Sequence, residues 1–165
     1  MNTIKIKKLH PKAVVPTRSH PHDAGLDLYA LEDIEFENET KLVKTGIAID
    51  IPEGYEAQVR PRSGMTLKTP MRVQLGTIDS GYDGDVGIIV DCRESLHVIG
   101  KGDKIAQLVI SPVVTPEVET VTEFDTVSER GDKGFGSSDL SKIYMTDPDF
   151  SKLELTDINA KDFEW

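Results

Sequence analysis

Hydrophobic and polar residues alternate with a period of two through much of this chain. Ile47, Ile49 and Ile51 alternate with Ala48 and Asp50, and Tyr55, Ala57 and Val59 alternate with Glu56 and Gln58. Met71, Val73 and Leu75 repeat the pattern, as do Val86, Ile88 and Val90, then Ala106, Leu108 and Ile110. Met1 to Lys7 alternates in the same way and reads as a first strand. Each stretch predicts a short strand with one face toward a core. Pro52-Glu53-Gly54, Gly81-Tyr82-Asp83-Gly84 and Gly100-Lys101-Gly102-Asp103 supply turn chemistry between them. No stripe at i, i+3, i+4, i+7 is long enough for a major helix; the best short candidate is Met65-Thr66-Leu67-Lys68. Many short strands with regular turns predict an all-β barrel or jelly-roll-like fold.

Composition adjusts this picture in three ways. The 165 residues fit one domain, or one domain with an appendage, and a hydrophobic content of 38% is modest, which makes burial between subunits a reasonable expectation. No apolar run approaches the roughly 20 residues that span a bilayer, and the N-terminus lacks the apolar block of a signal peptide. With a single cysteine, Cys92, there is no intrachain disulfide and no multi-cysteine zinc site, so a cytoplasmic setting is the simplest expectation.

The net charge of −10 argues against duplex nucleic acid as the main partner, although a few arginines and backbone amides still suffice for one small anion. The charge is uneven. Residues 1–22 carry five Lys/Arg and no Asp/Glu, whereas residues 139–165 carry seven Asp/Glu against three lysines.

Five runs carry candidate chemistry. Ala24-Gly25-Leu26-Asp27-Leu28-Tyr29-Ala30 offers a strand with Leu26, Leu28 and Ala30 on one face and Asp27 and Tyr29 on the other. Taken alone it reads as a strand with a solvated aspartate. Arg60-Pro61-Arg62-Ser63-Gly64-Met65 sets an arginine fork and a hydroxyl at the start of the short helix, equally a phosphate cradle or a basic turn. Gly76-Thr77-Ile78-Asp79-Ser80-Gly81-Tyr82-Asp83-Gly84-Asp85 puts a carboxylate and an aromatic in a glycine-rich turn. In isolation Asp79 is a turn residue; at a strand exit it can also orient a water. In Gly102-Asp103-Lys104-Ile105-Ala106-Gln107-Leu108-Val109-Ile110, Gln107 interrupts an apolar strand, as on a sheet edge or at a polar site. The last run, Arg130 to Ser138, joins a cation, three glycines, hydroxyls and Phe135 without P-loop spacing. It reads as a flexible linker, or as an arm that wraps a phosphate chain and covers a flat ring.

The order and spacing of AGLDLYA, RPRSGM, GTIDSGYDG, GDKIAQLVI and RGDKGFGSS resemble the five motifs of the homotrimeric dUTPase family, over residues 24 to 138. The resemblance implies a jelly-roll-like, distorted β-barrel trimer that hydrolyses dUTP to dUMP and pyrophosphate with Mg²⁺. It implies shared active sites, with the first, second and fourth motifs from one subunit, the third from another and the fifth from the remaining one. Asp79 is then the residue that orients and activates the attacking water. Tyr82 packs under the deoxyribose and disfavours a 2′-hydroxyl, while main-chain groups of the hairpin, including Gly76 and Ile78, read uracil. Arg62, Ser63 and Gly64 bind phosphate oxygens, and Gln107 contacts the phosphates or a metal-bound water. Asp27 holds the metal indirectly, through water. Arg130 meets the terminal phosphate, Phe135 stacks over uracil, and Gly136, Ser137 and Ser138 close on the triphosphate.

Composition and this likeness together divide the chain into a dUTPase-like barrel core (1–127), a mobile C-terminal arm of low aliphatic content (128–138) and an acidic extension that the likeness does not explain (139–165). The extension exceeds the short end usual for the family and is a possible surface for a protein partner. Lys133 stands where the fifth motif usually has glycine, and Val73 and Gln74 lie where the family often has an asparagine. Two other functions compete: a regulatory trimer controlled by nucleotide, and the related dCTP deaminase. The deaminase needs a glutamate in the strand after the third motif, where this chain reads Asp85-Val86-Gly87-Ile88-Ile89-Val90.

Overall fold

A computed structural model describes residues 3–94, 96–126, 128 and 131. Their strands are β1 (Lys5–Lys8), β2 (Gly25–Tyr29), β3 (Ile34–Phe36), β4 (Thr40–Lys44), β5 (Ile47–Asp50), β6 (Tyr55–Pro61), β7 (Met71–Val73), β8 (Gly76–Ile78), β9 (Gly87–Cys92), β10 (His97–Ile99) and β11 (Lys104–Pro112). The described residues hold one helix, α1 (Ser63–Lys68), so the chain is a mostly β protein, as its alternation predicts.

All strand pairs run antiparallel. The largest sheet has the order β2-β11-β6-β8, a second has β4-β9-β7, and β1-β5 and β10-β3 form two-stranded ribbons. Period-2 alternation aims one face of each strand inward: Leu28, Ala57, Ala106 and Leu108 from the first sheet join Val43, Ile88 and Val90 from the second in one buried cluster. The face of the large sheet turned away from that cluster is free to carry polar chemistry.

Several sequence expectations shift in register. β7 ends at Val73, and Leu75 is exposed rather than part of the strand. The Gln74 N–H still bonds the Ile89 carbonyl of β9 at 2.9 Å, so the pairing runs one residue past β7 and stops before Leu75. β11 is a central strand, flanked by β2 and β6, not the edge strand that Gln107 suggested. The short helix begins at Ser63, two residues before the predicted candidate.

By internal contacts the chain divides after Glu117. In the second unit, residues 118–126 form no helix or strand and are exposed. Among the described residues, no helix is long and apolar enough to cross a membrane.

Candidate active site

The polar face of the large sheet is built by register. Gln107 on β11 lies opposite Asp27 on β2 and Arg60 on β6, so the three side chains share one face. Arg62, two residues beyond Arg60, leaves the end of β6 on that same side. Lys104 is three residues from Gln107, an odd spacing that puts it on the opposite face of a regular strand. A bulge corrects this: the register with β2 shifts between Lys104 and Ala106, and the extra residue returns Lys104 to the face of Asp27.

Asp27 therefore meets two cations. Its Oδ2 accepts a 2.6 Å hydrogen bond from Lys104 Nζ, and its Oδ1 lies 2.9 Å from Arg62 Nε. Ser19 Oγ donates to Oδ2 at 3.3 Å. The residue is only 7% exposed, so it is not the solvated aspartate that its run suggested in isolation. Burial raises the carboxyl pKa, but the Lys104 hydrogen bond, the charges of Arg62 and Lys104, and the Ser19 hydroxyl outweigh it and hold the group below its ordinary value. Lys104 is correspondingly raised, first by its hydrogen bond to Asp27.

The neighbours of this pair are themselves held. Arg62 donates through a terminal nitrogen to the Lys104 carbonyl at 3.0 Å. Lys104 Nζ stands 5.9 Å from the centre of the Tyr29 ring, whose hydroxyl is 2.6 Å from Thr17 Oγ1. Gln107 Nε2 donates to the Pro61 carbonyl at 3.0 Å, which satisfies a polar side chain in an otherwise apolar strand. Gln107 also leans over Gly25. A Cβ at Gly25 would overlap Gln107 Oε1 and lie 3.0 Å from its Cδ, so only glycine leaves the amide this position.

Together these groups line a cleft of about 340 Å³ formed by Ser19, Asp23, Ala24, Gly25, Asp27, Arg62, Ser63, Gly64 and Gln107. Residues 17–23 close one side: Asp27 N–H bonds the Thr17 carbonyl at 2.7 Å, and Arg18 Nε donates to the Asp23 carbonyl at 2.8 Å. Ser63 and Gly64 open α1, where first-turn N–H groups have no intrahelical acceptor. Arg62 caps the helix without a side-chain hydrogen bond, and the first turn holds no acidic residue. The cleft thus sets Arg62, the Ser19 and Ser63 hydroxyls and the Gln107 amide beside the carboxylates of Asp23 and Asp27, a mixed lining that suits an anion bound together with a cation.

The third run lies elsewhere. Gly76 pairs with Val59 and Ile78 with Ala57, antiparallel to β6. Asp79 consequently leaves β8 level with the start of β6, whereas Arg62 leaves its end. Five residues separate Ala57 from Arg62, roughly 17 Å at a strand's rise of about 3.3 Å per residue. Asp79 and Tyr82 are both exposed, and Gly76, Ile78, Asp79 and Tyr82 are not among the cleft's lining residues. Five sequence-selected residues, Asp27, Arg62, Ser63, Gly64 and Gln107, meet in the cleft of one chain; the hairpin set does not join them there. Arg130, Phe135, Gly136, Ser137 and Ser138 lie outside the described residues.

Sequence reasoning passed over Ser19, Gly25 and Lys104. The only signal for Lys104 was a cation next to a strand start, and its approach to Asp27 depends on a bulge that periodicity does not reveal.

The chain as a whole is similar to known proteins. Residues 11–139 match the family model described as dUTPase. A deoxyuridine 5′-triphosphate nucleotidohydrolase of Syntrophotalea carbinolica is 47% identical over 140 residues, covering 81% of this chain and 95% of its own length. That of Gloeothece citriformis is 44% identical over 142 residues, covering 84% and 97%. Among solved structures, the Staphylococcus bacteriophage 80alpha dUTPase with dUpNHpp superposes with a TM-score of 0.82 at 37% identity, covering 85% of this chain and all of that one. A mutant dUTPase of phage phi11 of S. aureus, described as revealing the coordination of a structural Mg(II) ion, matches with a TM-score of 0.72 at 33% identity over 76% of this chain. With a family match that spans most of its length and relatives this similar, the chain belongs to the dUTPase family.

Proposed function

We infer that this chain is a dUTP diphosphatase, which hydrolyses dUTP to dUMP and pyrophosphate by water attack on the α-phosphorus. Such a reaction limits the dUTP available to DNA synthesis and supplies dUMP for dTMP synthesis. The observation that carries the mechanism is the separation of Asp79 from the Arg62 cleft along β6. A water-directing carboxylate and a phosphate-binding cleft have to act on one substrate, and one chain keeps them a strand length apart. A homotrimer of jelly-roll-like barrels with shared sites resolves this, since the hairpin of one copy can complete the cleft of another.

In this reading Arg62, Ser63 and Gly64 take phosphate oxygens and Gln107 contacts the phosphates or a water on the metal. Asp79 from a second copy orients the attacking water, Tyr82 packs under the deoxyribose, and main-chain groups at Gly76 and Ile78 read the base. The arm of residues 128–138 reaches a neighbouring subunit, bringing Arg130 to the terminal phosphate and Phe135 over uracil, with Gly136, Ser137 and Ser138 closing the site. Residues 1–127 serve as the barrel core, and the acidic extension of 139–165 is available to a protein partner. Catalysis then rests on positioning and charge neutralisation rather than on a covalent intermediate.

Mg²⁺ fits the donor set. The cleft offers only hard oxygen donors, and both Asp27 oxygens already hold cations, so the carboxylate suits a hydrated ion rather than a stripped one. Asp27 would hold that ion through water, and the ion would neutralise charge along the triphosphate.

A pyrophosphatase-coupled phosphate assay across the four canonical dNTPs and dUTP with Mg²⁺ tests the reading. Turnover of dUTP but not dCTP, abolished by Asp79→Asn, is the expected result. Hydrolysis of every dNTP alike, deamination of dCTP, or full activity in the variant would overturn it. The matches favour the hydrolase over the deaminase and over a purely regulatory trimer.

A further inference from the structure

The hairpin that carries Asp79 and Tyr82 is tied down at its far end by a residue to which neither sequence nor comparison gives a role. Asp85 Oδ1 accepts the Gly46 N–H at 2.9 Å and stands 3.2 Å from Thr45 Oγ1. The Thr45 hydroxyl, on a residue 2% exposed, donates to the Val86 carbonyl at 2.7 Å, and Val86 N–H returns a 2.8 Å bond to the Ile47 carbonyl. These bonds fasten the hairpin's exit to the β4–β5 turn, while β8 fastens its entry to β6. Between the two anchors, the Tyr82 hydroxyl donates to the Asp85 carbonyl at 3.0 Å.

The tyrosine is thus oriented through its outer end by the backbone of the anchored residue. Its ring is 49% exposed as a whole residue, so packing alone does not fix it. Gly84 gives it room: a Cβ there would lie 2.6 Å from Tyr82 Cζ and overlap the hydroxyl. The ring's outer end lies against the bare backbone of Gly84 and is held at its tip, while about half of the residue stays exposed.

We propose that Asp85 is a positioning residue that sets the Tyr82 ring through the Asp85 carbonyl and thereby controls discrimination between deoxyribose and ribose. The inference rests on the reading above, in which Tyr82 packs under the sugar. A 2′-hydroxyl is rejected only if the ring stays close to the sugar, and a ring free to swing accepts it. The carboxylate acts at one remove: it fixes the backbone whose carbonyl receives the tyrosine.

The test compares Asp85→Ala, Asp85→Asn and Gly84→Ala with the wild-type trimer for hydrolysis of dUTP and UTP, and for calorimetric binding of dUMP and UMP. In Asp85→Ala the dUTP-to-UTP ratio of kcat/KM should fall about tenfold, with KM for dUTP raised and kcat changed less than about threefold. Asp85→Asn keeps an oxygen for the Gly46 N–H and should restore most of the ratio. Gly84→Ala moves the ring with the Asp85 bonds intact and should lower the ratio similarly, which preserves the test if Asp85→Ala does not fold. Discrimination that survives in Gly84→Ala or in a folded Asp85→Ala overturns the proposal, as does failure of Asp85→Asn to rescue. A wild-type chain inactive on dUTP would instead overturn the functional reading.

Discussion

Lys104 Nζ and Asp27 Oδ2 meet at 2.6 Å across 77 residues of chain, at the point where a bulge in β11 turns the lysine onto the polar face of the sheet. Arg62 holds the other oxygen of the same carboxylate. Arg62 meets Asp27 through Nε and the Lys104 carbonyl through one terminal nitrogen, so the three side chains form one locked group at the cleft wall.

This pair predicts a pH signature of stability. The Asp27 carboxyl lies below its ordinary 3.8 in the folded chain, so its contribution is complete above that value and is lost as pH falls through the lower folded value. Urea melts of wild type and Asp27→Asn, both in chelator, should differ clearly at pH 6. The gap should shrink as pH drops below 3.8, because the wild-type carboxyl then becomes neutral too. A gap that stays constant with pH would show that the ion pairs add nothing beyond a polar contact.

Gly25→Ala is expected to damage the site while sparing the fold. The new methyl displaces the Gln107 amide from above Gly25 and from its bond to the Pro61 carbonyl, but the bulk of the core is untouched. Steady-state kinetics should show kcat/KM for dUTP lowered by at least about tenfold, with Tm shifted by only a few degrees. Normal kinetics would mean that Gln107 has no contact with substrate or metal-bound water.

Shortening the chain separates arm from extension. A chain ending at Val127 should still assemble, yet turn over at least about a hundredfold more slowly, because closure over the substrate is lost with Arg130 and Phe135. Removal of residues 140–165 should leave kinetics nearly unchanged. Sedimentation and dUTP turnover on both chains decide this, and normal turnover by the shorter one would make the arm a linker.

Much of the fold was legible because alternation reports directly on which face is buried: β5, β6, β9 and β11 lie where their hydrophobic period places them. β3, β4 and β10 were not read, since three-residue strands carry too few alternations and β4 pairs an exposed Leu42 with a buried Val43. The candidate site was legible as motifs but not as geometry. Gln107 looked like an edge residue because a polar side chain in an apolar strand has two explanations, and only sheet order distinguishes them. Asp27 looked solvated because its cations come from residues 62 and 104, and long-range pairs leave no local trace. Asp85 was one more turn residue until its bonds to Gly46 and Thr45 showed the turn was anchored.

The shared site is the central claim, and mixed assembly tests it most directly. Arg62→Ala and Asp79→Asn should each be inactive alone, the first lacking the phosphate cleft and the second the water-directing carboxylate. Co-refolded in equal amounts, they should recover about a quarter of wild-type dUTP hydrolysis, because that fraction of sites draws Arg62 from one variant and Asp79 from the other. A mixture that assembles fully and remains inactive would contradict the account, for it would place Arg62 and Asp79 in the service of a single chain.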